Sequence, residues 1–536
     1  MVGAGPAGSA CALVLARKGA RVLLLEKRKS PGEGTASSGV LYGGSFGGFG
    51  IADLVPGFES DAPLERRITS HEVTIISDPD PSNGAYRSWS LTGRSLLVRL
   101  GLFTVDPPSG RDYSVNRKEF DPWLADKAVE AGAILSTETA VTSLAMRGHS
   151  VAGVTTAHEE ILADVVVDCS GVSSTFPEAA GLRKHLGPRQ LYQGVSRTYR
   201  LGEETIDQRF RLRKGEGKVV TSFGGFMHGV SGNSIISTNR DTVSVGVVAS
   251  MDSMVRALTE RFETVGKPLD ILDAFVAHPM VAELIEGGEA LGYCARNIPR
   301  GPRAILKAPQ ADGYLVAGDA MGAFVRMGPL FDGLRLAIAS GAAAGEAYLM
   351  ARVSGSYRAS NLARYRDMLS PLYEEVARSG RENFFSESGF AYNSLPRLLL
   401  SSTKHVGRRS HEAGAPAPLP GARRWEGEAP GESIAVDAGL GSASSSKPWV
   451  PSCPTDCFTL VTPGGAFHSY GDLYRKKLAA MGSGRGADVM AYRETVKEVE
   501  SGKISFDPKR CVSCGTCWAL GPPEIVAPGV RPGLLA

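Results

Sequence analysis

The chain has 536 residues, 43% of them hydrophobic and 21% charged, with a net charge of +3. That length is too great for one hydrophobic core, so two or three globular domains are expected. The small net charge argues against a bulk polyanion such as nucleic acid, eight cysteines are too few for a disulfide framework, and no uninterrupted apolar stretch is long enough to span a bilayer.

The first predicted element is a glycine turn. Gly3-x-Gly5-x-x-Gly8 opens a helix over Ala7 to Lys18, followed by a continuous apolar strand from Arg21 to Glu26. Only Met1 and Val2 precede the turn, so no signal peptide is expected, and the rest of the first strand is expected upstream of residue 1. In such a turn the first glycine makes the bend. The second admits a pyrophosphate to the backbone, and the third lets helix and strand pack closely. The helix N-terminus faces the phosphates. Glu26 ends the strand eighteen residues after Gly8, placed to accept hydrogen bonds from ribose hydroxyls. The reading is a dinucleotide site; the bland alternative is a chance glycine turn.

Residues 31–50 read as a loop lying against the cofactor. Strand-like segments follow at Glu72–Ile76 and Tyr86–Leu91, then a helix from Arg117 to Ala131 and strands at 133–135, 151–154 and 165–167. Val167-Asp168-Cys169-Ser170-Gly171 reads as a strand ending in a turn near the cofactor, with Cys169, Cys11 and Cys294 as packing residues. A second, antiparallel sheet is predicted from about 190, through 219–222, 234–237 and 242–248. Helix follows over 255–275, broken at Gly266-Lys267-Pro268. Tyr314 to Ala320 is a buried strand ending in Gly318-Asp319. A carboxylate there binds a ribityl hydroxyl, and the next helix aims its N-terminus at a flavin ring. The pairing of this element with the glycine turn selects FAD over NAD; the ordinary alternative is an aspartate helix cap. Helices fill 341–384. Residues 411–447, rich in Gly, Ala, Pro and Ser, read as a linker, and a cysteine module occupies 448–536.

That module holds Cys453, followed by Pro454, and the run Cys511-x-x-Cys514-x-x-Cys517. Such a run delivers three thiolates to three corners of a [4Fe–4S] cluster, and a remote Cys-Pro supplies the fourth. Cys457 is a neighbour able to substitute for Cys453. Zinc, which takes separated CxxC pairs more readily, and plain buried thiols are the alternatives. Thiolates of this kind belong to a reducing compartment, so a cytoplasmic protein is expected.

The turn Gly3-Ala-Gly-Pro-Ala-Gly8, the stretch Tyr113 to Leu124, Gly318-Asp-Ala-Met-Gly322 and Phe331-Asp-Gly through Gly341 together resemble the family of electron transfer flavoprotein–quinone oxidoreductases, FixC flavoproteins and geranylgeranyl reductases. The last two motifs, with Arg66 to Thr74, look most like FixC, and the tail looks like the ferredoxin-like FixX. The whole resembles a FixC–FixX fusion covering about 1–405 and 448–536. The resemblance implies an α/β fold. A glutathione-reductase-like FAD-binding Rossmann domain is interleaved with an α+β quinone or substrate domain over 1–410, whose second sheet lies at about 190–300. A small ferredoxin-like iron–sulfur domain follows. Arg117 and Gly39 would contact FAD. The gap between Cys453 and Cys511 is longer than is usual in the family, with a basic, helix-like insert around Tyr474-Arg-Lys-Lys477.

The implied function is a relay from a partner electron transfer flavoprotein, through cluster and FAD, to a membrane quinone. Peripheral attachment to the cytoplasmic face is expected, with Leu398–Leu400 among basic residues, or Leu96–Phe103, as the contact. His228, in a Gly- and aromatic-rich turn, is a weak catalytic candidate for proton delivery; its bland reading is a surface histidine. Three rivals are an isoprenoid-reducing flavoenzyme, a non-catalytic electron-carrying subunit and a flavin hydroxylase, the last disfavoured by a one-electron inlet.

Overall fold

The computed structural model describes residues 1–34, 38–78, 80, 85–91, 110–263, 265–327, 330–386, 406–407, 435–436, 447–482, 485–507, 510–511, 514, 516–521 and 526–527. The first layer is a mainly parallel sheet. Leu23–Leu25 pairs with Ile134–Ser136, and Val166–Asp168 pairs with Tyr314–Val316. Val2 joins the two halves, bridging Leu25 on one side and Asp168 on the other. The stub is therefore the centre of the sheet, held by Val2 N to Val167 O at 3.0 Å and Gly3 N to Leu25 O at 2.8 Å.

The helix Pro6–Arg17 follows at once. Pro6 suits its first turn, because its fixed φ is already helical and its missing N–H would have no partner there. Every residue from Pro6 to Ala16 is buried. A helix apolar on all sides needs neighbours on all sides, and Arg117–Glu130 and Leu334–Ser354 supply them.

The second layer is larger than the 190–300 core predicted. Its strands run in the order Glu289–Pro299, Leu191–Arg200, Thr242–Ser250, Gly232–Thr238, Glu216–Gly224, Leu64–Ile76, Tyr86–Leu91 and Val406–Gly407. Ser38–Leu41 and Tyr113–Asn116 join from the Rossmann side. One face carries Val195, Val220, Ile236, Val245 and Val247 into a core with the helices Met251–Thr259 and Pro268–Ala277. Those two helices are the helix predicted over 255–275 with its break, which lies between Thr259 and Pro268, and Pro268 opens the second.

The cysteine module folds as a small antiparallel sheet, Gly465–Phe467, Phe458–Thr462 and Lys503–Phe506, with helices Tyr470–Met481 and Arg485–Ser501. The basic insert expected to be helical lies in the first of these helices. The module shares a hydrophobic core with the second sheet. Phe262 stacks on Tyr474 and Tyr492, ring centroids 5.6 and 5.0 Å away, and Lys267 pairs with Asp456. Lys447, the last residue of the predicted linker, is packed into the module, its Nζ donating to Val499 O and Glu500 O at 2.8 Å. The remainder of the linker lies outside the described residues, apart from Ala435–Val436, which pairs with Val526–Ala527. Both predicted membrane contacts, at 96–103 and 398–400, also lie outside them. Among the described residues no helix is long and apolar enough to cross a membrane.

Candidate functional site

The glycine turn is fixed by close packing at two of its three glycines. A Cβ on Gly3 would stand 2.6 Å from Cys169 O, and one on Gly8 only 1.9 Å from Gly3 O. A Cβ on Gly5 would meet nothing within 4 Å. Open space thus lies at the one position where a pyrophosphate must approach. The helix beyond carries no side-chain cap and no acidic residue in its first turn, so its leading N–H groups and its dipole suit an anion. Glu26 is buried at the strand end. Its Oε2 accepts from Ala4 N at 3.0 Å and its Oε1 from Arg28 N at 3.1 Å. Each oxygen keeps a lone pair for a ribose hydroxyl.

Gly39 and Arg117, far apart in sequence, come together: a Cβ on Gly39 would lie 3.5 Å from Arg117 Cδ. Arg117 forks onto Asp121, Nε to Oδ1 at 2.6 Å and one terminal nitrogen to Oδ2 at 2.7 Å. Burial works against the cation, but Asp121 and then Asp319 outweigh it and raise its pKa. Asp319 sits in the tight turn Gly318–Met321. Burial pushes its carboxyl up, while Arg296 and then Arg117 pull it back down. Arg296 was missed in the sequence, where it is one arginine in the strand Glu289–Pro299. Its Nε is buried and, among the described residues, without a hydrogen-bond partner. A polar ligand such as flavin, with carbonyl and ribityl oxygens, fits that need.

Asp168 serves structure. It accepts from Ser170 N and Oγ, Ser174 Oγ and the Tyr314 hydroxyl at 2.6–3.0 Å. Cys11 and Cys169 are buried and Cys294 is half-buried. His228 is exposed at the end of the tight turn Gly225–Met227, while Phe226 and Met227 fill the core beneath.

The four predicted ligands Cys453, Cys511, Cys514 and Cys517 line one small cavity, together with Cys457, Thr455, Phe458 and Thr516. Cys457 N donates to Cys453 Sγ at 3.3 Å, and Thr516 Oγ1 lies 3.3 Å from Cys514 Sγ. Cys453 is brought down to about 7, first by the Cys457 thiol and against the effect of burial, with the Cys457 and Thr455 backbone and Lys267 helping. Burial, then the Cys453 charge, drives Cys514 up to about 12. Among the described residues no group of three or more His, Cys, Asp or Glu side chains is gathered closely enough to hold a metal ion.

The cavity abuts the second sheet. Asn297 N donates to Cys514 O at 3.2 Å, and Gln193 Nε2 reaches Thr516 Oγ1. Side chains alternate across a strand. Consecutive Arg296 and Asn297 therefore point to opposite faces, one toward Asp319 and the other toward the thiols.

The FAD dependent oxidoreductase family model matches residues 1–210. Protein FixC of Escherichia coli is 34% identical over 430 residues, covering 76% of this chain and 94% of that protein. Protein FixC of Bradyrhizobium diazoefficiens is 34% identical over 410 residues, covering 76% and 85%. A geranylgeranyl bacteriochlorophyll reductase-like protein of Thermoplasma acidophilum shares the fold, with a TM-score of 0.56 at 18% identity over 79% of this chain and 95% of its own. With its glycine cradle and that extent of identity, the chain belongs to the FixC family and is an FAD-dependent oxidoreductase.

Proposed function

We propose that this chain is an electron transfer flavoprotein–quinone oxidoreductase, a FixC flavoprotein fused to a FixX-like tail, with FAD and one [4Fe–4S] cluster as resident cofactors. When bound, the cluster exchanges single electrons and the flavin one or two. The chain's own residues hold and insulate them. The N–H groups before and within Pro6–Arg17 meet the pyrophosphate, Glu26 takes the ribose, and Asp319, between Arg296 and Arg117, faces the ribityl and ring end. Cys453, Cys511, Cys514 and Cys517 hold the iron, with Cys457 donating to Cys453.

The observation that carries this reading is the strand Glu289–Pro299, which turns Arg296 to the flavin side and Asn297 to the thiols. One layer of sheet separates the two candidate sites. The thiols line a single cavity. Five cysteines on one cavity, three of them at the CxxCxxC spacing, support a cube over a single tetrahedral zinc. The donor would be an electron transfer flavoprotein and the acceptor a quinone, reached from the cytoplasmic membrane surface.

Anaerobically purified protein should show flavin bands on a broad iron–sulfur shoulder and reduce a quinone analogue after reduction by a donor flavoprotein. Turnover of a geranylgeranyl lipid in place of quinone would favour the isoprenoid-reducing rival, and zinc in the tail would end the cluster reading.

A further inference from the structure

The body of the protein contributes two buried amides to the cysteine site. Gln193 and Asn297 stand directly opposite each other on neighbouring antiparallel strands, so their side chains share a face. Gln193 is fully buried and Asn297 is 2% exposed. The Gln193 amide nitrogen donates to Thr516 Oγ1 and lies 3.8 Å from Cys514 Sγ. Asn297 is tied to the same cysteine through its backbone N–H. Yet Asn297 Oδ1 and Nδ2, and Gln193 Oε1, have no hydrogen-bond partner among the described residues. A buried polar group left unpaired costs more than a made hydrogen bond gains. Asn297 Nδ2 is the donor among these atoms, and with Gln193 Nε2 already 3.8 Å from Cys514 Sγ this face fits an acceptor beside Cys514. Sulfur is the acceptor chemistry at hand.

We infer that Gln193 and Asn297 donate amide hydrogen bonds to the sulfurs of a cluster held at Cys514 and thereby raise its reduction potential. The inference rests on the cluster reading proposed above. Hydrogen bonds to the sulfurs set the potential of such centres, because reduction adds negative charge that the donors stabilise. The donors belong to the body and the thiolates to the tail. The potential is therefore set only when the tail is docked.

The test is a redox titration of the cluster by electron paramagnetic resonance in the full-length holoprotein, comparing wild type with Gln193→Leu, Asn297→Leu and both together. The double variant should make the cluster about tenfold harder to reduce, a shift of about 59 mV to more negative potential for one electron, with iron content and flavin absorbance unchanged. Should the leucine variants not fold, Gln193→Glu keeps the shape, replaces the donor with an acceptor and should shift the potential in the same direction. An unchanged potential with an intact signal would overturn the inference, as would a fall in thermal stability with no shift. Wild-type protein without iron would overturn the cluster reading, and this inference with it, at the metal analysis, before any potential is measured.

Discussion

At the glycine turn the backbone is the site, whereas at the cysteine cavity the side chains are. Gly3 and Gly8 are held to glycine by main-chain atoms 2.6 and 1.9 Å from where a Cβ would sit, and the helix that follows is buried on every side. The flavin cradle is therefore set by packing before any ligand arrives. The tail cavity is lined by five cysteines, of which Cys453 is held low with Lys267 helping while burial and the Cys453 charge hold Cys514 high. The cluster proposed above would complete that site with a cationic centre that inverts the local charge logic. On that proposal one site tolerates an absent ligand and the other depends on it.

The largest effect expected on this contrast is at Gly8. In Gly8→Ala the new methyl meets main-chain oxygen that cannot rotate away, so a loss of about 3 kcal/mol or more is expected, with flavin lost as well. Gly5→Ala faces open space and should change stability by no more than about 1 kcal/mol, while flavin occupancy falls severalfold. Melting curves and flavin per chain separate the two. Equal damage from both substitutions would mean that the cradle is not preformed.

The tail should behave the other way. Cys514→Ser is expected to strip the iron and leave the flavin bands, whereas Cys457→Ser should leave most of the iron in place; iron and sulfide analysis reads both. Retention of iron in Cys453→Ser with loss in Cys457→Ser would exchange their roles.

A smaller effect is expected where the two regions meet. Lys267 is buried and its partner Asp456 only partly exposed. Lys267→Met leaves that carboxylate unpaired. A cost of about 1–3 kcal/mol is expected, below that of a fully buried pair because water still reaches Asp456. Tryptic cleavage of the tail should quicken correspondingly. Unchanged cleavage would mean that Phe262, between Tyr474 and Tyr492, carries the docking alone.

The two regions also differ in how far the sequence revealed them. Gly3, Gly5, Gly8 and Glu26 were legible because a fixed spacing forces a fixed turn. The thiols were legible because three cysteines at intervals of three have few other uses. Arg296, Gln193 and Asn297 were not, because their roles depend on which strand lies beside Leu191–Arg200, a long-range pairing that local pattern does not encode. The second sheet was placed too narrowly for the same reason. Its strands at 38–41, 64–76 and 113–116 come from the Rossmann half and join only through tertiary pairing. Even Val2 could be read only as a stub; its bridges to both Leu25 and Asp168 appear once the chain is folded.

Cys11 marks the buried side of the contrast and gives the smallest effect at neutral pH. Burial pushes its thiol up from 9.0 to about 12. Above pH 9 the unfolded chain gives up this proton while the folded chain keeps it. The unfolded state then binds fewer protons, so stability falls as pH rises, and the contribution is lost between 9 and about 12. At about 1.4 kcal/mol per pKa unit, a shift of that size is worth up to about 4 kcal/mol at the top of the range. Cys169, also raised by burial, adds a slope of the same sign. Cys11→Ala should cost about 1 kcal/mol near neutrality, and should flatten part of the alkaline decline in urea-unfolding free energy. Parallel profiles for variant and parent would mean that Cys11 ionises as freely in the folded chain as in the unfolded one. Water would then reach the helix on which the cradle stands, and the packing argument for a preformed site would fail with it.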